Sequence, residues 1–538
     1  MIKKFIKRLL GKGEAKREET AAPPEVPAAP VIPLGVRADI AASEHRIDPT
    51  LLDANAVRVV KTLQEAGFEA YVVGGAVRDL LVGLRPKDFD VATNATPEQV
   101  KALFRRAFII GRRFRLVHVV FGRGREHETI EVSTFRAYLD ASAAEQVAGD
   151  EKPSRQQMVD KTHVVDAAGR VLRDNVWGPQ VEDAARRDFT INAMYYDPVT
   201  QMVVDYHGGL ADSRARLLRM IGDPELRYRE DPVRIIRVVR FAAKLGFALE
   251  PGTERPLRTM SALLANVPIS RLFDEMVKLM QTGHALASIE QLKKYGLVGQ
   301  GSGVFPVLDA ALAPAQNSTA RQTFIRLALE DTDRRVAEGR AVAPSFMLAC
   351  LLWHDVQARW TTIRATGEAP FPALQQAVDA VFDARIGDIS GRGKLAADMR
   401  EIWLMQPRFE RRSANSALAL VEQPRFRAGY DFLRLRADCG DLSTELADWW
   451  EDLHLGNHEE REALIDELRA SSQARPRRGH AATSEEAVAE AAAEAEIDAT
   501  ADGDAPPAAA DAGEGAPRKR RRRRRRPGPR EGAAPASE

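Results

Sequence analysis

Cysteine is almost absent from the 538-residue chain, since only Cys350 and Cys439 occur. Two thiols exclude a disulfide framework and a cysteine-rich zinc site, and they fit a reducing compartment. Long apolar runs are absent as well: residues 346–353, among the longest, fall far short of the ~18 to 20 residues that span a bilayer. Charge of one sign is not in excess, because 78 basic residues balance 77 acidic ones. The basic N-terminus lacks the pattern of a secretory signal, so we expect a soluble, cytoplasmic protein without a transmembrane segment.

The two ends of the chain differ in composition from the middle. Residues 1–20 interleave basic and apolar side chains, which fits either weak contact of a short helix with a membrane surface or RNA, or a solvated leader. Residues 21–33 are rich in Ala and Pro and resemble a linker. Residues 485–504 are acidic, and residues 518–526 are all basic. We predict disordered tails, with the basic run binding nucleic-acid phosphates; a solubility tail is the alternative.

Between the tails, the pattern changes from α/β to all-helical. Short β-like runs occur between residues 68 and 200. Beyond Asp231 the pattern becomes helical, with Leu, Ala, Arg and Glu recurring at intervals of three and four residues. We therefore predict a head with a small mixed sheet and helices, followed by an all-helical body. The predicted boundaries are 1–45 for the leader and linker, 46–200 for the head, 201–285 for a helical neck, 286–470 for the body and 471–538 for the tail.

A glycine pair separates a predicted strand at 70–73 from a predicted helix at 76–81. Glycines at such a turn let a phosphate approach backbone N–H groups and the positive end of the helix dipole. Arg78 is near enough in sequence to add a positive charge. Gly74, Gly75 and Arg78 are therefore candidate phosphate-binding residues.

A second motif follows directly, where residues 87–91 are predicted to form a strand. Asp88 and Asp90 then project from one face, and Phe89 points into the core. Two carboxylates at this spacing suit a pair of Mg²⁺ ions roughly 3.5 to 4 Å apart, as in-line phosphoryl transfer requires. A solvated turn is the alternative for the two aspartates alone.

A third carboxylate comes from a later strand, where residues 129, 131 and 133 share one face. Glu131 is therefore a candidate to join the two aspartates. A salt-bridged strand residue is the competing interpretation.

Two further groups of charged residues follow. Arg186, Arg187 and Asp188 place two guanidinium groups and a carboxylate together, which suits a triphosphate with its metal. In the next helix basic residues recur every third position, and we call this set the arginine stripe: Arg234, Arg237 and Arg240. The arginine stripe is either a nucleotide or RNA contact or a solvated, ion-paired face.

These motifs together resemble the signature of the class II nucleotidyltransferases, the family of bacterial poly(A) polymerases and CCA-adding tRNA nucleotidyltransferases. The matching stretches are GGAVRD at 74–79, LVG at 81–83, DFD at 88–90, RRDFTINA at 186–193 and EDPVR at 230–234. The resemblance implies Mg²⁺, or alternatively Mn²⁺, with ATP as a substrate. It also implies that Asp188 belongs to the catalytic group ahead of Glu131, and that Asp231 and Arg234 select the base. The implied sites are catalytic Asp88, Asp90 and Asp188, with metal on the first two, and nucleotide-binding Gly74, Gly75, Arg78, Arg186, Arg187, Asp231 and Arg234.

One segment resembles the poly(A) polymerases more closely than the CCA-adding enzymes. Residues 109–119 read IIGRRFRLVHV, which places three arginines around one aromatic side chain, suited to phosphate contact and base stacking. The predicted RNA-binding residues are Arg112, Arg113, Arg115, Arg237 and Arg240.

The resemblance implies an enzyme that adds adenylate to RNA 3′ ends without a template and releases pyrophosphate. It further implies a role in RNA processing and decay, with RNA-decay proteins as partners. A CCA-adding enzyme and a non-catalytic RNA-binding adaptor are the alternatives, and the intact carboxylates argue against the adaptor.

His354 and Asp355 resemble the dipeptide of metal-dependent phosphohydrolases, but partner ligands are lacking and a packed pair is the interpretation we adopt.

Overall fold

The computed structural model describes residues 34–111, 115–123, 126–138, 145–146, 163–165, 171–174, 176–299, 302–313, 319–385, 392–414 and 416–474. One compact unit extends to Leu468, and residues 469–474 belong to a second unit. Of the predicted segment 1–45 the structure describes residues 34–45, and of the predicted tail 471–538 it describes residues 471–474, which end a helix rather than begin a disordered segment. The rest of both segments lies outside the described residues, as do Arg112 and Arg113. The domain boundaries within the compact unit stay predictions.

The head is built on a mixed sheet, as the sequence predicts. The described strands are β1 (Ala38–Ile40), β2 (Ala70–Val73), β3 (Asp90–Thr93), β4 (Ala107–Ile110), β5 (Leu116–Arg123), β6 (Glu126–Thr134), β7 (Glu145–Gln146), β8 (His163–Val165), β9 (Val171–Asp174), β10 (Tyr195–Asp197), β11 (Met202–Asp205), β12 (Leu217–Leu218) and β13 (Ala248–Leu249). Among the described residues, eight of them form one sheet in the order β1-β11-β10-β2-β3-β6-β5-β4. The β3–β6 pair is parallel, and the other neighbours in this sheet are antiparallel.

The helices dominate the chain after the head. The described α-helices are α1 (Ala42–His45), α2 (Ala54–Glu65), α3 (Gly75–Leu81), α4 (Pro97–Leu103), α5 (Gln180–Ala185), α6 (Gly209–Ala215), α7 (Pro224–Glu230), α8 (Val233–Leu245), α9 (Pro251–Glu254), α10 (Leu257–Met260), α11 (Ile269–Met280), α12 (Ala285–Lys294), α13 (Pro306–Leu312), α14 (Thr319–Ala337), α15 (Pro344–Arg364), α16 (Pro370–Arg385), α17 (Arg392–Arg411), α18 (Ala417–Val421), α19 (Phe426–Asp438), α20 (Thr444–Leu455) and α21 (His458–Ala474). The predicted all-helical body is thus confirmed.

Helix α15 explains the longest apolar run of the sequence. Its residues 345–353 are all buried, and it packs against α14, α16 and α17. A helix that is apolar all round belongs inside a core rather than at a surface. Within the described residues, no helix is long and apolar enough to cross a membrane.

The strand that carries the aspartate motif begins later than the sequence predicts. Strand β3 starts at Asp90, and Asp88 lies in the bend before it. The reason is its neighbour: β2 pairs Val73 with Asp90 and then leaves the sheet at Gly74, whose φ is +74°. Because β2 pairs no farther than Asp90, the ladder stops there. The predicted sidedness holds, since Phe89 is buried and both aspartates are exposed.

Candidate active site

A cleft of about 1420 Å³ runs between the head and the helices that follow it. Its lining includes twelve of the residues proposed from the sequence: Gly74, Gly75, Arg78, Asp88, Asp90, Arg186, Arg187, Asp188, Asp231, Arg234, Arg237 and Arg240. Arg115 does not line the cleft and instead pairs with Glu98. Motifs that are up to 166 positions apart in the chain (74 to 240) therefore meet around one space.

The two aspartates meet a third carboxylate through the sheet. Parallel pairing of β3 and β6 sets Glu131 directly beside Asp90. Desolvation by the surrounding groups, together with the charges of Glu131 and Asp88, raises the pKa of Asp90 from 3.8 to about 6 against the opposing charge of Arg187. Mutual repulsion of this kind is relieved by a cation.

The donor set at this point suits a divalent cation. Carboxylate oxygens are the ligands that Mg²⁺ and Mn²⁺ prefer, and Asp88 and Asp90 both open to the cleft. Among the described residues, no group of three or more His, Cys, Asp or Glu side chains is arranged to hold a metal ion. Because both line the cleft, Asp88 and Asp90 are the residues that would hold such an ion. Glu131 makes a 3.4 Å contact with His118.

The raised pKa of Asp90 leads to a prediction about the free energy of unfolding in the absence of metal. The folded protein binds the proton of the Asp90 carboxyl more tightly than the unfolded chain does. The free energy of unfolding therefore falls as the pH rises from about 4 through 6. In chelator at pH 8, Asp90→Asn is expected to raise the free energy of unfolding by roughly 1 kcal/mol, a value reduced by solvent screening. Urea unfolding at pH 8 and pH 5 measures this, and the gain should shrink at pH 5. An equal effect at both values would contradict the assignment.

Asp188 lines the cleft and is bound to an arginine of the stripe. It is buried, its carboxylate pairs with Arg237 at 2.5 and 2.8 Å, and it accepts hydrogen bonds from the Phe189 N–H and the Asn192 amide. Burial opposes its ionisation, but these partners lower the pKa of Asp188 overall. The structure therefore places Glu131 beside Asp90 and engages Asp188, in the lining of the cleft, with Arg237, and the place of Asp188 in the catalytic group stays a prediction.

Sequence reasoning missed the residue that holds the two adjacent arginines. Asp183, on α5, is 1% exposed and accepts hydrogen bonds from Arg186 at 2.8 Å and Arg187 at 3.0 Å. It also accepts from the Tyr195 hydroxyl and the Arg136 N–H. Burial opposes its charge, yet the two guanidinium groups hold the pKa of Asp183 well below its usual range. The spacing in the sequence could have indicated this role, because Asp183 lies three residues before Arg186 and four before Arg187, within one helical turn.

A second missed residue, Asn192, joins the glycine turn to this group. Its Oδ1 accepts from Arg78 Nη1 at 2.7 Å, and its amide donates to Asp188 at 3.3 Å. Arg78 also donates to Asp79. A Cβ on Gly74 would lie 3.4 Å from Arg187 Nη1, and the positive φ there already favours glycine. The turn and the arginines are therefore packed as one unit.

The arginine stripe is ion-paired throughout. Arg234 pairs with Glu230 at 2.8 Å, Arg237 with Asp188, and Arg240 with Glu275 at 3.4 Å.

The aspartate of the proposed base-selecting motif is paired as well. Asp231 receives two parallel hydrogen bonds from Arg271 of α11, at 3.0 and 3.1 Å. The carboxylate of Asp231 is thus held in one orientation at the edge of the cleft.

Comparison with known proteins agrees with this geometry. Three family models match the chain: "Poly A polymerase head domain" at residues 70–219, "Probable RNA and SrmB- binding site of polymerase A" at 246–312 and "Polymerase A arginine-rich C-terminus" at 366–484. Poly(A) polymerase I of Haemophilus influenzae is 41% identical over 431 residues, 80% of this chain and 90% of the relative. The chain belongs to the poly(A) polymerase family. It is thus an enzyme of RNA nucleotidyl transfer, and the resemblance found in the sequence is confirmed.

Two further relatives show how far the poly(A) polymerase likeness extends. Poly(A) polymerase I of Salmonella typhi is 37% identical over 89% of this chain and 96% of its own length. The CCA-adding enzyme of Bacillus subtilis is 36% identical, but over 45% of this chain and 54% of its own length. The likeness to the poly(A) polymerases therefore includes the helical body.

Proposed function

We propose that the protein adds adenylate residues to RNA 3′ ends without a template, using ATP and releasing pyrophosphate. The observation that carries this is the cleft, in which paired carboxylates, a glycine turn and arginines converge. Likeness to poly(A) polymerases over most of the chain supports adenylate as the added unit. A role in RNA processing and decay, decay-protein partners and a cytoplasmic location stay predictions.

In this proposal, Asp88 and Asp90 hold Mg²⁺, with Mn²⁺ as the alternative, and either Asp188, which lines the cleft, or Glu131, which lies beside Asp90, completes the catalytic carboxylates. When bound there, the metal supplies charge neutralisation for the triphosphate and activation of the RNA 3′-hydroxyl. Asp188 also positions Arg237, which donates two hydrogen bonds to its carboxylate.

The remaining cleft residues bind and orient the nucleotide. Gly74, Gly75 and Arg78 bind phosphates at the turn. Arg186 and Arg187 present unused N–H donors to the triphosphate while Asp183 holds their orientation, because each guanidinium has five donors. Asp231 and Arg234 contact the base, and Arg237 and Arg240 lie along the path of the RNA 3′ end.

Primer extension tests the proposal directly. Purified protein, Mg²⁺ and an unstructured RNA are mixed with each of the four nucleoside triphosphates separately. A long ladder with ATP alone is expected. Addition of C and A restricted to tRNA lacking its 3′ end would instead assign the protein to the CCA-adding enzymes, and RNA binding without any addition would support the adaptor alternative.

The Asp231–Arg271 pair leads to a prediction on nucleotide choice. Arg271→Ala removes two hydrogen bonds that orient the Asp231 carboxylate, so the base contact becomes less specific. We expect the preference for ATP over CTP to fall about tenfold, which corresponds to about 1.4 kcal/mol. The ratio of kcat/KM for the two nucleotides measures it. Arg258→Ala, which removes an arginine that does not line the cleft and binds the Lys294 carbonyl instead, is the control, and an unchanged ratio in Arg271→Ala would refute the role of the pair.

A further inference from the structure

A second cavity lies in the helical body, away from the glycine turn and the aspartates. It has a volume of about 740 Å³ and lies between α14, α15 and α16. We call it the body cavity, and its charged and imidazole side chains are Arg321, His354, Asp355, Arg359 and Arg385. The three family models leave residues 313–365 uncovered, which include most of this lining.

Positive charge exceeds negative charge in the lining of the body cavity. Three guanidinium groups face a single carboxylate there. Asp355 pairs with Arg321 at 3.0 Å and lies 4.0 Å from Arg385. Burial and the charge of Arg321 lower the pKa of His354 to about 4, so its imidazole is neutral at physiological pH. The described lining therefore carries a surplus of two positive charges.

Arg359 brings donors that the fold does not use. Arg359 is exposed, stands one helical turn after Asp355 and has no ion pair among the described residues. The Nδ1 atom of His354 is buried and has no hydrogen-bond partner among the described residues. Guanidinium N–H groups grouped around one space, as here, are the donors from which phosphate oxygens accept hydrogen bonds.

One helix connects the body cavity to the active cleft. Arg321, near the start of α14, lines the body cavity, and Val336 and Ala337, at its end, line the cleft. Fifteen residues separate Arg321 from Val336, which is about 22 Å along an α-helix. A single extended polyanion could contact both sites, whereas a very short one could not.

We propose that the body cavity binds phosphate groups of the RNA strand upstream of the reacting 3′ end, an inference that rests on the proposed function. Arg359 is its exposed contact, and the site distinguishes long from short RNA. The interpretation of His354 and Asp355 as a packed pair still holds, because Asp355 pairs with two arginines and His354 packs edge-on against Phe324.

The test compares Arg359→Ala with Arg364→Ala, which removes an arginine of the same helix that does not line the cavity. Binding of a 20-nucleotide RNA is expected to weaken about five- to tenfold only in Arg359→Ala, with the slope of log affinity against log salt reduced by ~0.7, as for one lost phosphate contact. Extension of a trinucleotide is expected to be unchanged. Arg359→Glu should enlarge the effect on the long RNA.

Equal losses in the two alanine variants, or equal losses for long and short RNA, would overturn the proposal. Sodium tripolyphosphate separates the two sources of phosphate: if Arg359→Ala abolishes thermal stabilisation by tripolyphosphate but binds the 20-mer normally, the RNA assignment is wrong. If the parent protein extends neither RNA, the proposed function fails, while the binding comparison still reports on the cavity.

Discussion

Asp88→Ala and Asp90→Ala are each expected to slow nucleotide addition by a factor on the order of 1000 or more, while RNA binding stays nearly unchanged. Both carboxylates open to the active cleft, and Asp90 already carries a raised pKa from its surroundings and its acidic neighbours. Removing either one leaves a single aspartate to hold the metal. Single-turnover extension of a labelled RNA, with binding measured separately, checks the expectation.

A suitable control for these variants is Asp197→Asn. Asp197 ends a strand of the same sheet but does not line the cleft, so extension should stay close to that of the parent. Appreciable extension by both Asp88→Ala and Asp90→Ala would refute the metal assignment. A parallel loss of RNA binding would mean that the aspartates support the fold rather than the reaction.

Asp183→Ala is expected to have the second large effect, because it leaves Arg186 and Arg187 without their shared buried partner. Breaking a buried ion pair by removing one member costs about 3–5 kcal/mol of stability. The freed guanidinium groups also lose their orientation toward the cleft, so the KM for ATP should rise about tenfold or more even at temperatures where the variant is folded. Urea unfolding and ATP titration of the extension rate measure the two effects.

Asp212→Asn separates the stability effect from the site effect. Asp212 is also buried and pairs with Arg219 and the Thr190 hydroxyl, but it does not line the cleft. We expect lower stability with an ordinary KM for ATP per folded molecule. If Asp183→Ala behaved in the same way, its role would be structural alone.

Local spacing was enough to predict the parts of the site that lie within one motif. Phe89 between two aspartates specified which side faces the core, and the glycine pair specified the strand-to-helix turn. The start of β3 was predicted too early, because it depends on where the neighbouring strand leaves the sheet at Gly74.

Partners that lie far apart in the chain could not be predicted in this way. Arg237 meets Asp188 across 49 positions, and Arg271 meets Asp231 across 40. The position of Glu131 beside Asp90 depends on strand register, which only the assembled sheet defines. These pairings follow from packing between elements, and no spacing within a motif encodes them.

The ion pairs of the cleft arginines also affect how quickly a bound anion can dissociate. Arg186, Arg187, Arg234 and Arg237 each keep a carboxylate partner in the folded protein. Their side chains lost conformational entropy during folding, so an arriving nucleotide needs to order little. The carboxylate partners also neutralise part of their charge, which lowers the affinity for a pyrophosphate product. Under the proposed function, such a site combines ready nucleotide binding with easy release of pyrophosphate, as repeated addition to one RNA end would require.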